Sequence, residues 1–226
     1  MRIVLRILCL VLGYLFGMIQ TAYLYGKAKG IDIREHGSGN AGTTNTLRVL
    51  GKKAGLVVFV GDLAKMCIPC LVLGFVIDSF FPDLADMKYL LKLYMGFGGV
   101  IGHNFPFYLG FKGGKGIAAT SGMILGFYWP FIPMGLIAFF GTLVITHYVS
   151  LSSLVLMAGF MTMMLVVGIN GLGAFAVIPD AVLLEMYIVT FAIVLMAYIR
   201  HLPNIKRLLE HNERKTYVFK KNKPEE

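Results

Sequence analysis

The chain has 226 residues, of which 57% are hydrophobic and 15% charged, against roughly 25% charged in an ordinary soluble domain. A soluble protein needs more polar surface than this, and a disordered one far less apolar content. The composition reads as a single polytopic membrane domain over 1–226, and the net charge of +9 means that the chain is oriented by basic loops, holds something anionic, or both.

Ile3 to Tyr25 is the first apolar run, long enough at about 1.5 Å per residue to cross a hydrocarbon core of about 30 Å. Arg2 and Arg6 precede it as in a signal peptide, but no small-residue cleavage site follows, so it reads as a retained span. Lys27 to Lys53 is a polar loop whose centre, Gly37-Ser38-Gly39-Asn40-Ala41-Gly42-Thr43-Thr44-Asn45, has no apolar periodicity. Ala54 to Ile77 is the second span and Asp78 to Lys88 a short acidic connector. Tyr89 to Leu109 is a third span, expected to be broken by Gly96, Gly98, Gly99 and Gly102. Gly110 to Gly116 is a basic glycine loop opening onto an apolar helix. The long run Ile117 to Val149 is interrupted at Trp129-Pro130 and Pro133, and Ser150-Leu151-Ser152-Ser153 reads as a polar turn. Leu151 to Ile169 and Ala181 to Ile199 are further spans, and Arg200 to Glu226 is a polar, basic tail. Cys9, Cys67 and Cys70 all fall inside apolar runs and read as packing residues.

Of the 21 Lys and Arg, 16 lie in the segments 26–53, 110–116 and 200–226, whereas the connectors 78–88 and 170–180 are acidic. The positive-inside rule puts the three basic segments on the cytoplasmic face. Three crossings between 116 and 170 then give an all-α protein of about seven transmembrane helices, with the N-terminus outside and the site at the cytoplasmic face. Two features strain this reading. The span 117–129 is only about 20 Å long by helical rise, and Arg2 and Arg6 fall on the outer face.

The chemistry-bearing residues cluster in the basic segments. In the first, Gly37, Gly39 and Gly42 permit positive φ, Ser38, Asn40, Thr43, Thr44 and Asn45 add short hydrogen-bonding groups, and Arg48 adds a planar fork suited to phosphate. In the second, Lys112-Gly113-Gly114-Lys115-Gly116 stands at a helix start, where free N–H groups and the dipole attract anions. It is not a Walker A loop, because Leu109 and Gly116 occupy the places that need Gly and Ser/Thr. In the third, His201 and Asn204 are the unusual members of Arg200-His201-Leu202-Pro203-Asn204-Ile205-Lys206-Arg207. Asp62 and Lys65, inside the second span at i,i+3, read as a mutual pair supporting the site. His103 reads as an internal hydrogen-bonding residue. No His/Asp/Glu cluster has metal-ligand spacing, and basic residues so few per loop at a membrane surface disfavour nucleic acid. An enzyme and a transporter or scramblase of phosphorylated lipids or organic anions both fit these features; a carrier would need binding groups near the bilayer midplane.

Gly37-Ser38-Gly39-Asn40-x-Gly42-x-Thr44-Asn45-x-x-Arg48, Gly102-His103-x-Phe105-Pro106 with Phe111-Lys112-Gly113-Gly114-Lys115-Gly116, and Arg200-His201-x-x-Asn204-Ile205-x-Arg207-Leu208 together resemble the three signatures of the bacterial acyl-phosphate:glycerol-3-phosphate acyltransferase family, over nearly the whole chain. The resemblance implies a plasma-membrane enzyme that moves a fatty acyl group from acyl phosphate to the 1-hydroxyl of glycerol 3-phosphate. The products are lysophosphatidic acid and phosphate, and neither cofactor nor metal is used. It carries functional roles onto Ser38, Thr44 and Arg48, onto Lys115 with Gly113 and Gly114 in its loop, onto Ser153, and onto His201 and Asn204. The expected catalytic set is Ser38, Arg48, Lys115 and His201; the expected substrate-binding set is Asn40, Thr44, Asn45, Lys112, Gly113, Gly114, Ser153 and Asn204. His211 departs from the family, which often has Gly there, and puts the turn before Glu213 in doubt. The His-x-x-x-x-Asp acyltransferase class is excluded, since Ala41, Tyr108, Ser152, Lys206 and Thr216 stand fifth after the five histidines.

Overall fold

The computed structural model describes residues 1–217; residues 218–226, the end of the basic tail, lie outside the described part. The described residues form helices and connecting loops, with no strand. Helix α1 runs Arg2–Gly17 and α2 Thr21–Ala28. The polar loop follows, then α3, Thr43–Phe80, interrupted by Gly51 at φ 85°. After an acidic turn at Pro82–Met87 comes α4, Lys88–Asn104, and after the basic loop α5, Ile117–Phe127. Helices α6 (Phe131–Leu136) and α7 (Thr142–Thr146) are joined by a π-helical turn, Ile137–Gly141. Helices α8 (Val149–Ile169) and α9 (Asp180–Arg200) are long, and α10 (Leu202–Leu209) follows at once.

Four stretches, Arg2–Ala28, Thr43–Phe80, Val149–Ile169 and Asp180–Arg200, are long and apolar enough to cross a membrane. Helix α5 has 11 residues, about 16 Å by helical rise. Two of its C-terminal carbonyls, Gly126 O and Phe127 O, accept from the buried Lys92 ammonium of α4 at 2.8 and 3.2 Å, which satisfies part of the helix end.

The glycines of α4 do not break it. They pack it. A Cβ at Gly98 would strike the Leu10 carbonyl and one at Gly102 the Tyr14 carbonyl, while on α1 Gly13 and Gly17 face Met95 and Gly99 in the same way. Small residues every fourth position on both helices bring the backbones together, which is how helices associate where no hydrophobic effect drives them. Ser150, Ser152 and Ser153 also differ from expectation. They lie in the first turns of α8, and the chain turns instead at His147, whose φ is 61°.

Arg2 and Arg6 share an end of the molecule with the acidic connector. Arg2 pairs with Asp86 at 2.8 Å, and Arg6 makes a two-pronged contact with Glu185 at 2.6 Å on each prong. Tyr94 donates to the same carboxylate at 2.7 Å. Both arginines are thus neutralised locally. The three cysteines are free thiols.

Candidate active site

At the opposite end the loops and helix ends enclose a cavity of about 760 Å³. The first loop is shaped by two side chains. Asp32 accepts from the Arg34 backbone N–H at 3.0 Å and from its guanidinium at 2.7 Å, and this pairing holds its carboxyl down to about 2. Arg34 also reaches the Leu109 carbonyl at 3.2 Å, tying the first basic loop to the second. Asn45 accepts from Ser38 N–H at 2.8 Å and donates to the Ile33 and His36 carbonyls at 3.0 Å each. Both its N–H groups are spent on folding the loop, so Asn45, expected to bind substrate, staples the turn that presents Ser38. Gly37 and Gly39 take positive φ, 61° and 71°, as expected; Gly42 is extended at φ −160°. Ser38, Asn40, Thr44 and Arg48 line the cavity, Thr44 from the first turn of α3, where backbone N–H groups are unpaired within the helix. Arg48 donates to Thr216 at 3.2 Å.

The second loop is folded onto α4. Gly113 and Gly114 donate their N–H groups to the Asn104 and His103 carbonyls at 3.1 Å each. A Cβ at Gly113 would strike the His103 carbonyl, and one at Gly114 the His103 ring. The N–H groups of this glycine pair are thus turned inward, and glycine is required here for close packing. Gly113 and Lys112 still line the cavity, and Gly114 lies beneath it. Arg200 holds the outer side of the loop, donating to the Gly114 carbonyl at 2.9 Å. The loop delivers Lys115 to the cavity immediately before α5, with Gly116 at φ 80° as the cap.

Lys115 donates to the Asn204 side-chain oxygen. Burial lowers its ammonium to about 8; Glu213 opposes this, and Arg207, Arg200 and Arg48 add to the lowering. Asn204 in turn donates to Glu213 at 2.7 Å, Ser150 donates to the same carboxylate oxygen at 2.9 Å, and Arg207 donates to the other at 2.7 Å. Burial alone would raise the Glu213 carboxyl, but these three hydrogen bonds hold it below its ordinary value. His211, in place of Gly, adopts φ 58° and the tail turn forms, with Asn212 N–H on the Arg207 carbonyl at 2.8 Å. Thr216 N–H then reaches the His147 carbonyl at 2.8 Å, so the tail crosses the mouth of the cavity.

Ser153 lines the cavity from α8 and donates to the Val149 carbonyl at 2.7 Å. His201, at the end of α9, has Nδ1 2.7 Å from the Ala197 carbonyl. A carbonyl only accepts, so Nδ1 carries the proton and Nε2 the lone pair. Burial, with Lys115 next, lowers its pKa to about 4. Eleven of the twelve expected residues thus line one cavity, Gly114 being the exception. Ser150, Glu213 and Arg200 complete the site; all three stand in segments quoted from the sequence, but none was expected to act there. The sequence signal for Glu213 is its place two residues after His211, where the family often has Gly. The far end of the cavity is apolar, with Phe59, Leu125, Leu136, Phe139 and Phe140 on its wall. Asp62 and Lys65 pair at 2.9 Å, as expected. Among the described residues no group of three or more His, Cys, Asp or Glu is placed to hold a metal ion.

Comparison with known proteins agrees with this geometry. The family model for glycerol-3-phosphate acyltransferase matches residues 7–211. A glycerol-3-phosphate acyltransferase of Streptococcus thermophilus is 39% identical over 216 residues, covering 92% of each chain. One from Exiguobacterium sibiricum is 39% identical over 217 residues, covering 95% of each. Among solved structures, PlsY, an integral membrane glycerol 3-phosphate acyltransferase, superposes in its glycerol 3-phosphate form with a TM-score of 0.77 at 30% identity, covering 94% of this chain and 96% of that one. Its lysophosphatidic acid form gives 0.73 at 29% identity. The chain belongs to the glycerol-3-phosphate acyltransferase family.

Proposed function

We propose that the chain transfers the acyl group of an acyl phosphate to the 1-hydroxyl of glycerol 3-phosphate at the cytoplasmic face of a bacterial plasma membrane. Lysophosphatidic acid and phosphate are the products, and neither cofactor nor obligate protein partner takes part. The observation that carries this reading is the charge imbalance at the cavity mouth. Among the described residues Lys112, Lys115, Arg200 and Arg207 line it with the carboxylate of Glu213, the other lining carboxylate, Asp62, being paired with Lys65, and the same cavity carries apolar side chains on its wall. Acceptor and donor bring two phosphate groups, which suit the cations, and the donor brings a hydrocarbon chain, which suits the apolar wall. These cations sit at helix ends and loops on one face rather than at the bilayer midplane, which favours an enzyme over a carrier.

Acyl phosphate is already activated, with phosphate as its leaving group. The cavity therefore has to align a hydroxyl with a carbonyl and stabilise growing negative charge. Lys115 and Arg48 hold the phosphates, Ser38, Thr44 and Asn204 add hydrogen bonds, and transfer is direct. In support, no cavity hydroxyl or thiol among the described residues is hydrogen-bonded to a histidine: Ser153 is spent on Val149 and His201 on Ala197. The hydroxyl proton goes to a phosphate oxygen of the substrate, since His201, lowered to about 4, is a weak base at neutral pH.

The same reading gives seven crossings with the N-terminus outside. The outer arginines that strain it are each paired with a carboxylate, so neither stands as an isolated charge at that end. The test is phosphate release in detergent on adding glycerol 3-phosphate, with acyl phosphate and acyl-CoA as rival donors. Turnover with acyl phosphate alone is expected; turnover with acyl-CoA alone would overturn the donor assignment.

A further inference from the structure

The cavity has a second histidine to which the reaction as described gives no task. His103 stands in the last turn of α4, 3% exposed, and lines the cavity. Its Nδ1 is 2.8 Å from the Lys65 ammonium, which also donates to the Ile19 carbonyl at 2.7 Å and to Asp62 at 2.9 Å. The Ile19 carbonyl lies in the break between α1 and α2. Asp62, 1% exposed, takes one further hydrogen bond, from Thr21 at 3.0 Å. A carboxylate so buried needs a cation in contact, and Lys65 is that cation. An ammonium has three N–H groups and no lone pair. Here two go to a carbonyl and a carboxylate, and the third meets the imidazole. Nδ1 must therefore accept, and the ring's single proton sits on Nε2. Three partners thus fix one tautomer, the opposite of that of His201.

Nε2 has no hydrogen-bond partner among the described residues, and the side chain lines the cavity. Gly114 lies against this edge of the ring, where a Cβ would collide with Nε2. The ring packs against the loop that leads into α5, and along that stretch the wall changes from cationic to apolar. Along the chain the wall passes from Lys115 in the loop to Ile117, Ser121 and Leu125 along one face of α5. In an acyl phosphate the order is phosphate, carbonyl, chain, so the group at that border is the carbonyl.

We infer that His103 is a further catalytic residue, a permanently neutral N–H donor to the acyl carbonyl oxygen; this rests on the acyl-phosphate reading above. The glycerol hydroxyl oxygen forms a bond to the carbonyl carbon, and the carbonyl electron pair moves onto oxygen, where Nε2–H holds it. The pair then returns, the carbon–oxygen bond to phosphate breaks, and phosphate leaves with that bond's electrons. The hydroxyl proton goes to a phosphate oxygen, and His103 keeps its own throughout. Such a donor acts by being in place before charge develops.

Two substitutions separate this role from mere support of Lys65. In His103→Asn the side-chain oxygen falls where Nδ1 was and keeps the Lys65 contact, but the Nε2 donor is lost. In His103→Gln the amide N–H falls near Nε2 and keeps the donor, but the Lys65 acceptor is lost. With whichever donor substrate the wild type turns over, His103→Asn is expected to lose about a hundredfold in kcat with KM for glycerol 3-phosphate within about threefold. His103→Gln is expected to stay within about tenfold in kcat. A purely structural role predicts the reverse ranking, and His103→Asn within about threefold of wild-type kcat would overturn the inference. Should His103→Asn fail to melt cooperatively, His103→Gln decides: a native melt with a hundredfold loss in kcat overturns it, and retained kcat supports it. A wild type active only with acyl-CoA defeats the donor assignment and leaves this ranking to be read with that donor.

Discussion

Two polar networks meet in this cavity, and they are built on opposite rules. At the rim, Lys115, Asn204, Arg207 and Ser150 converge on Glu213, with further cations around them. At the floor, Asp62, Lys65, His103 and Thr21 are hydrogen-bonded together, and one carboxylate matches one ammonium. The rim has more positive charge than its own carboxylate can balance, and the floor has none to spare. Unbalanced charge costs free energy until an anion arrives, so the rim is a binding site. Balanced, buried charge fixes positions, so the Asp62–Lys65 pair is a scaffold that holds the His103 ring in place.

The largest effect expected from breaking this contrast is at the rim. Lys115→Met should lower kcat/KM by about a thousandfold, the order found when a charge-stabilising donor is removed, with little change in the detergent melting temperature. A melt lowered by more than about 5 °C would mean that Lys115 serves the fold as well.

The floor should answer in the other currency. Lys65→Met leaves the Asp62 carboxylate buried without its cation, which costs about 3–5 kcal/mol, roughly a hundredfold to several thousandfold in the folding equilibrium. The double variant Lys65→Met/Asp62→Leu should recover most of that stability, because removing both charges of a buried pair is far cheaper than removing one. Thermal melts of the three proteins check this, and a single variant as stable as the wild type would erase the distinction between the networks.

A smaller effect follows from pH. Lys115, lowered to about 8 by burial and its cationic neighbours, is charged below that pH and neutral above it. The cation is the form that binds phosphate, so kcat/KM for glycerol 3-phosphate should fall as pH rises through about 8, approaching tenfold per unit. Lys115→Arg, which stays charged, should abolish the fall whatever its absolute rate. A wild-type profile flat to pH 10 would place the phosphate elsewhere.

Much of this was legible in the sequence, and what was missed shares one cause. Ser38, Arg48, Lys115, His201 and Asn204 are marked by glycine, charge and position next to apolar runs, all local signals. The Asp62–Lys65 pair follows from helical spacing alone. The role of Glu213 was hidden because its partners, Ser150 above all, lie on other elements. Gly113 and Gly114 carry a loop signature that looks the same whether their N–H groups face an anion or the end of α4. The α4 glycines read as breakers because helix propensity sees one chain, whereas their purpose lies in the backbone of α1.

The smallest expected effect is at His201, which touches the rim without adding charge to it. Its Nδ1–H is held by the Ala197 carbonyl one turn earlier, leaving Nε2 free to take a proton. That proton would be poorly held, since burial and Lys115 bring the ring to about 4. A phosphate monoester oxygen, with a second pKa of about 6, is the stronger base, and the substrate carries it to the reacting hydroxyl. His201→Gln should therefore keep kcat within about tenfold of wild type at neutral pH, the amide still able to bond a neighbouring carbonyl. A loss beyond about a thousandfold with a native melt would make His201 the base. The rim would then do proton chemistry as well as hold anions.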